Sequence, residues 1–302
     1  MKNLKLKKCC GQKFKRTRKL FLINNIEEIE KSFNPRLSVP NFEMYLEKSK
    51  KKAALAKKKL FGKINLRYGN SALQTLDVYY NNNFNLPIHI FIHGGYWRAL
   101  DKSFHTHMAL PFVKKKICFF NINYGLCPSV KLSEIKNQII ECIVWIHRNA
   151  KRFNANSENI ILSGHSAGAH LASLMLSVNW KKYGINKNFL KGVVLISGIY
   201  DTEIVVKLNI NKEIGLSIKE ARNNNPLRKK PKLITPAIIS YGGKEPIKWK
   251  EQSTNYMNFL NQNGFNCKEI SCKKDNHFSL IDTLASNKSK IVKEMIQLSY
   301  SS

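Results

Sequence analysis

Acidic residues are scarce in this 302-residue chain: 20 Asp and Glu stand against 51 Lys and Arg, a formal net charge of +31. Such an imbalance raises the question of nucleic acid or an anionic membrane surface as partner, because clustered cations release counterions from phosphate. The distribution opposes it. Lysines come in short runs such as Lys50 to Lys52, Lys57 to Lys59, Lys114 to Lys116 and Lys229-Lys230, without the interleaved aromatics of a base-stacking platform. Lysine far outnumbers arginine and asparagine is abundant, which reads as permissive surface positions filled by composition; no specific nucleic-acid partner is expected. Long apolar runs are also missing. Ile88 to Ile92 and Gly192 to Ile196 have strand length, well short of the roughly 20 residues that cross a bilayer, so no membrane span is expected. The seven cysteines contain no C-x-x-C pair and no zinc-like spacing, which argues against a disulfide framework or a metal site and favours a reducing compartment, the cytoplasm. No internal repeat is present, which excludes a solenoid or propeller. With 43% hydrophobic residues the chain has material for a sizeable core.

Met1 to Ile26 holds nine basic residues and no acid. It lacks the apolar stretch and small-residue cleavage site of a secretory signal and is Lys-rich where organellar presequences are Arg- and Ser-rich. Residues 1–30 are expected to form a flexible, solvated basic tail, with organellar targeting as the other reading. Helical and loop material follows, broken at Asn34-Pro35 and Val39-Pro40, with a helix expected from Asn41 to Leu60. Two β-rich runs, Ile64 to Tyr68 and Gln74 to Tyr80, flank the Gly69-Asn70 turn and predict an antiparallel hairpin. Short Ile- and Val-rich runs then alternate with helical segments: strands at 88–92, 117–122, 160–162, 192–196, 237–241 and 265–271, and helices at 103–113, 132–148, 167–177 and 249–261. A last helix is expected within Ser289 to Ser299. This alternation predicts an α/β fold, a mainly parallel sheet covered by helices on both faces. Residues 31–302 are expected to form one domain. The polar, proline-punctuated interval at about 201–236 breaks the rhythm and is expected to be a cap over the carboxyl edge of the sheet.

Gly164-His165-Ser166-Ala167-Gly168 is the sharpest local signal. It is a G-x-S-x-G placed between a strand and a helix, where a tight turn needs small residues two positions either side of a nucleophile. The helix that opens beyond Ser166 also directs N–H groups toward developing negative charge. His93-Gly94-Gly95-Tyr96-Trp97 follows the strand at 88–92, and its consecutive glycines can present backbone N–H groups to an oxyanion. Gly94, Gly95 and Ala167 are therefore the candidate oxyanion hole, with the Gly95 N–H or its immediate neighbour's acting beside that of Ala167. Tyr96 and Trp97 are candidate substrate contacts, while His93 is expected to brace its loop. A serine hydroxyl needs a base. His277, beyond the strand at 265–271, is the candidate, since His165 and His170 sit on the nucleophile's own turn and helix. The base needs an acid. Glu245, on the loop after the strand at 237–241, is preferred over Asp275, too close to His277 along the chain, and over Asp201, on a different strand exit.

Together these residues resemble the kynurenine formamidase (arylformamidase) family of the α/β-hydrolase superfamily. The resemblance rests on His93-Gly94-Gly95-Tyr96-Trp97, on Gly164-His165-Ser166-Ala167-Gly168-Ala169-His170 and on His277-Phe278. Weaker support comes from Asn34-Pro35-Arg36, Val39-Pro40, Leu76-Asp77-Val78-Tyr79, Ser197-Gly198-Ile199-Tyr200-Asp201 and Gln252-Ser253. It implies hydrolysis of N-formyl-L-kynurenine to kynurenine and formate in tryptophan catabolism, with no metal or organic cofactor and a small aromatic formamide or ester as substrate. Two positions depart from the family pattern: Glu245 stands where aspartate is common, and Asn276 precedes His277 where many relatives carry aspartate. The cap is very basic and is expected to draw an anionic substrate toward Ser166. A carboxylesterase with the same triad and a hydrolase-derived anion-binding protein are the competing readings. The oligomeric state is left open.

Overall fold

The computed structural model describes residues 26–301, so most of the basic tail expected at 1–30 lies outside the described residues. The chain enters through α1 (Ile26–Phe33), α2 (Pro35–Ser38) and α3 (Phe42–Lys57). That corrects the tail boundary. Ile29, Glu30 and Phe33 are buried, so the chain is already structured and packed at 26–30. A short hairpin of β1 (Gly62–Arg67) and β2 (Thr75–Tyr79) follows, then β3 (Leu86–Ile92), α4 (Ala109–Lys114), β4 (Cys118–Ile122), α5 (Leu132–Asn149), β5 (Ala155–His165), α6 (Ala167–Met175) and β6 (Leu190–Ile196). The interval at 201–236 carries three short helices, α7 (Thr202–Val205), α8 (Asn211–Ile214) and α9 (Ile218–Asn223). The chain closes with β7 (Ala237–Gly242), α10 (Ile247–Gln262), β8 (Cys267–Cys272), α11 (Leu280–Leu284) and α12 (Lys290–Leu298).

All eight strands join one sheet in the order β1-β2-β4-β3-β5-β6-β7-β8. The β1–β2 and β2–β4 pairs are antiparallel and the remaining five are parallel, which is the α/β arrangement expected. Strand residues alternate between two cores, as a two-residue period requires. Ile88, Ile90 and Ile92 of β3 join Leu162, Val193, Leu195 and Ile239 on the face covered by α5, α6 and α10. Phe91, Ile161, Val194 and Ile238 point the other way, onto α4, α11 and α12. Burial on both faces explains why these strands read as continuous apolar runs.

The helix expected at 103–113 shrinks to α4 preceded by two 3₁₀ turns. Side chains occupy the backbone groups that a longer helix would use. Asp101 accepts the Ser103 N–H (2.7 Å), Asn121 donates to the Lys102 carbonyl (2.6 Å), and Ser49 of α3 donates to the Phe104 carbonyl (2.8 Å). A buried Lys102–Asp77 ion pair (2.8 Å) ties the same segment to β2.

Among the described residues no helix is long and apolar enough to cross a membrane.

Candidate active site

Parallel pairing of β3 with β5 brings the two glycine motifs together. Ile92 stands in register with Gly164, so the loops leaving both strands emerge side by side although β4 separates them in sequence. Contact there is close enough to demand glycine. A Cβ on Gly168 would come within 2.0 Å of the Ile92 carbonyl oxygen, and one on Gly164 within 2.3 Å of the Gly168 carbonyl carbon. Ser166 occupies φ 56°, ψ −120°, a conformation that costs a non-glycine residue of order 1–3 kcal/mol. Its N–H is fixed by a 2.8 Å bond to the Ile196 carbonyl. Strain held by surrounding packing is what keeps a serine at the tip of a strand-to-helix turn.

His277 and Glu245 arrive from the other half of the sheet. Gly242 and Gly243, at the end of β7, lie so near the β8 exit loop that a Cβ would meet the Asp275 oxygen or Lys273 Cα at 2.6 Å. The Gly243 N–H donates to the Cys272 carbonyl and the Lys244 N–H to that of Asp275, which fastens the two loops. The result is a His277 Nδ1 to Glu245 Oε1 contact of 2.6 Å between two buried side chains, 5% and 4% exposed. The other carboxylate oxygen, Oε2, accepts from Ser197 Oγ (2.8 Å) and the Gly242 N–H (2.7 Å). Glu245 is therefore held at both oxygens, and the Trp249 ring meets His277 edge-on with centroids 4.8 Å apart. The rival acids are occupied elsewhere. Asp275 accepts from Ser279 and Thr283 hydroxyls, and Asp201 accepts the Glu203 N–H at the start of α7.

Ser166 and His277 line one cavity of about 70 Å³, together with Gly94, Gly95 and Tyr96. Gly95 adopts φ +112° and turns the chain, its carbonyl accepting from the Arg98 and Ala99 N–H groups. Among the described residues, the N–H groups of Gly95 and Ala167 have no protein acceptor. Gly94 sits against Ser166; a Cβ there would meet Ser166 Cβ at 3.0 Å. His93 is wedged between the Gly94 carbonyl (Nδ1, 2.8 Å) and Asn123 Oδ1 (Nε2, 3.0 Å), which braces the loop.

Tyr96 and Trp97 part company. Tyr96 lines the cavity and donates its hydroxyl to the Phe33 carbonyl, which seats α1. Trp97 is 0% exposed and does not line the cavity, contrary to its expected substrate contact. Its indole N–H donates to His170 Nδ1 (3.2 Å), and His170 Nε2 reaches the Asn224 carbonyl (2.7 Å). Burial pushes the His170 pKa down to about 4, so a neutral ring donates from Nε2 and accepts at Nδ1. Trp97 thus pins its loop to α6 and to the end of α9.

The roof differs from the expectation as well. The interval at 201–236 contributes Ile210 alone to the cavity wall, and none of its basic residues reaches it. Its charge cannot act on a substrate by contact. The roof is instead built by Asn34, Arg36, Phe42 and Tyr45, with Arg98 and Phe278. Phe42 packs on Phe278 with centroids 5.4 Å apart, and Lys48 and Lys52 of α3 pair with Asp282 at 2.7 and 2.6 Å. Of these residues only Asn34, Arg36 and Phe278 carried a sequence signal, through the family resemblance.

Comparison with known proteins agrees with this construction. The BD-FAE family model matches residues 76–211. A kynurenine formamidase from Salmo salar is 26% identical over 274 residues, covering 86% of this chain and 92% of that protein. One from Danio rerio is 27% identical over 241 residues, covering 76% and 80%. Among solved structures, a suggested thioesterase from Silicibacter sp. tm1040 superposes with a TM-score of 0.77 at 24% identity, covering 88% of this chain and 98% of the other. The chain is a hydrolase with the α/β-hydrolase fold, and its sequence is similar to the kynurenine formamidases.

Proposed function

We propose that the chain is a serine hydrolase of aryl formamides, with Ser166 as nucleophile, His277 as general base and Glu245 as its acid partner. The observation that carries this is the buried 2.6 Å contact between His277 Nδ1 and Glu245 Oε1 in a cavity shared with Ser166. Glu245 fixes the tautomer in which Nδ1 carries the proton, leaving Nε2 to take the hydroxyl proton as Ser166 Oγ attacks the formyl carbon. The Gly95 and Ala167 N–H groups, which donate to no acceptor among the described residues, stabilise the tetrahedral oxyanion. The Nε2 proton then passes to the aryl amine as the C–N bond breaks. Water, deprotonated by His277, releases formate and returns Ser166. Similarity to the kynurenine formamidases supports N-formyl-L-kynurenine as substrate. The interval at 201–236 serves as a cap that seats the Trp97 loop through Asn224 rather than as a lid lining the cavity.

The test is turnover of N-formyl-L-kynurenine and of 4-nitrophenyl acetate by the purified chain. Release of kynurenine with a higher kcat/KM than ester cleavage is the expected result. Ester cleavage without kynurenine release assigns the same triad to a carboxylesterase.

A further inference from the structure

The cavity above Ser166 carries a charge that formyl transfer does not require. Arg36 and Arg98 line it, and no Asp, Glu or Lys does. The chain has 42 lysines against nine arginines, so cations placed there by composition alone would be lysines far more often. Arg98 is mostly enclosed, its side chain 12% exposed, with Nη1 2.6 Å from Glu213 Oε2. Its Nε is buried with no hydrogen-bond partner among the described residues. Arg36 has no carboxylate in contact among the described residues; its guanidinium carbon lies 4.8 Å from the Phe42 ring centroid, a cation–π seat. Arg36 is itself exposed to solvent; partial desolvation, and after it the charge of Arg98, lower its pKa, while Glu213 and Glu43 act through space in the opposite sense. Two cations thus share one contact counterion. Residues 1–25 contain no Asp or Glu, so no side chain there can supply a second.

We propose that Arg36 and Arg98 form a carboxylate-binding subsite through which the Ser166 site selects substrates bearing a monoanionic carboxylate remote from the scissile bond. The proposal rests on the hydrolase reading of Ser166. A guanidinium offers its N–H donors in a planar fork that meets both oxygens of a carboxylate, which an ammonium cannot do. Two guanidiniums with one contact carboxylate leave a single positive charge, which matches one carboxylate group better than a phosphate dianion. Phe42, Tyr45 and Phe278 share the same lining, so the cavity offers an apolar wall for a flat body beside a cationic end.

The experiment compares N-formyl-L-kynurenine with N-formyl-L-kynurenine amide, which present the same formamide and the same α-ammonium and differ in the remote carboxylate. 4-Nitrophenyl acetate reports hydrolase competence. The wild type should favour the carboxylate by about tenfold or more in kcat/KM, and Arg36→Gln should reduce that ratio by about tenfold, mostly through KM. Arg36→Lys, which keeps the charge and loses the fork, should restore only part of the preference. Lys229→Gln with Lys230→Gln, which removes charge from the basic interval outside the cavity, should leave the ratio where it was. Equal turnover of acid and amide by the wild type, or a proportional loss on both in Arg36→Gln, overturns the subsite while ester turnover leaves the hydrolase reading standing. Failure of the wild type on all three substrates overturns the hydrolase reading and the subsite with it.

Discussion

The floor and the roof of the cavity are built on different principles. The floor is the carboxyl edge of β3, β5, β7 and β8, where Ser166, Glu245 and His277 sit on loops whose glycines leave no room for a Cβ. The loops themselves are locked backbone against backbone. The roof comes from α2, α3 and the 278–282 segment, held by aromatic contacts and partly exposed ion pairs such as Lys48 and Lys52 with Asp282. A floor of this kind fixes reacting groups, because positional error of about 1 Å is costly to catalysis. A roof of side-chain contacts can vary its lining without disturbing the floor, so on the proposed function reaction type is set below and substrate choice above.

Breaking the floor should have the largest effect. Gly168→Val would force a branched side chain onto the Ile92 carbonyl, 2.0 Å from where its Cβ must lie. Loss of soluble folded protein in expression and circular dichroism is expected, and a folded, active Gly168→Val would show that the two loops are not locked together. Glu245→Gln keeps the shape and removes the charge that orients His277 through the 2.6 Å contact. A fall in kcat of about 10²- to 10⁴-fold at unchanged melting profile is expected, by comparison with the acid-to-amide change in serine-protease triads; a loss below threefold would reassign the acid.

Acid should weaken the fold as a whole. His89, His107 and His170 have pKa values lowered by burial to about 3, about 4 and about 4, and burial holds His105 and His165 well below the ordinary 6.5. Each is neutral when folded and takes a proton near pH 6.5 once unfolded, so the unfolded state binds more protons below that pH. Stability should be full above about pH 7 and fall as pH drops from about 6.5 toward about 4, by about 1.4 kcal/mol per pH unit for each such histidine. Thermal denaturation across that range checks it, and a flat Tm down to pH 4.5 would contradict the buried neutral rings.

The smallest effect belongs to the roof. Asp282→Asn removes the partner of Lys48 and Lys52, whose side chains are 55% and 42% exposed. Solvent screening limits the stability loss to about 1 kcal/mol or less. A rise of a few fold in KM with little change in kcat is the expected readout, and a kcat loss exceeding the KM change would mean that α3 positions the reacting groups.

The same difference decides what could be read from the sequence. Glycines at 94, 95, 164 and 168 are forced by backbone contact, and that requirement leaves a local, spaced signature around Ser166. The strand alternation was legible because burial on both faces demands runs of Ile, Val and Leu. Glu245 could be placed from its loop after β7, and the bond to His277 shows how that loop is used. The roof left less of a mark: Asn34, Arg36 and Phe278 are marked only through the family resemblance, and Phe42, Tyr45 and Arg98 come from separate segments that meet only in three dimensions. Trp97 departs from its motif neighbour for a related reason: Tyr96 faces the cavity, but a positive φ at both residues turns Trp97 inward to His170. The lysine surplus was conspicuous and bears little on the site, whereas two of the nine arginines line the cavity.

Covalent capture measures the central claim most directly. Intact-protein mass spectrometry after treatment with a fluorophosphonate, followed by peptide mapping, should find a single adduct on Ser166 and none on the Ser166→Ala variant. Absence of an adduct in the wild type, or its appearance on another residue, would contradict the assignment of Ser166 as the nucleophile.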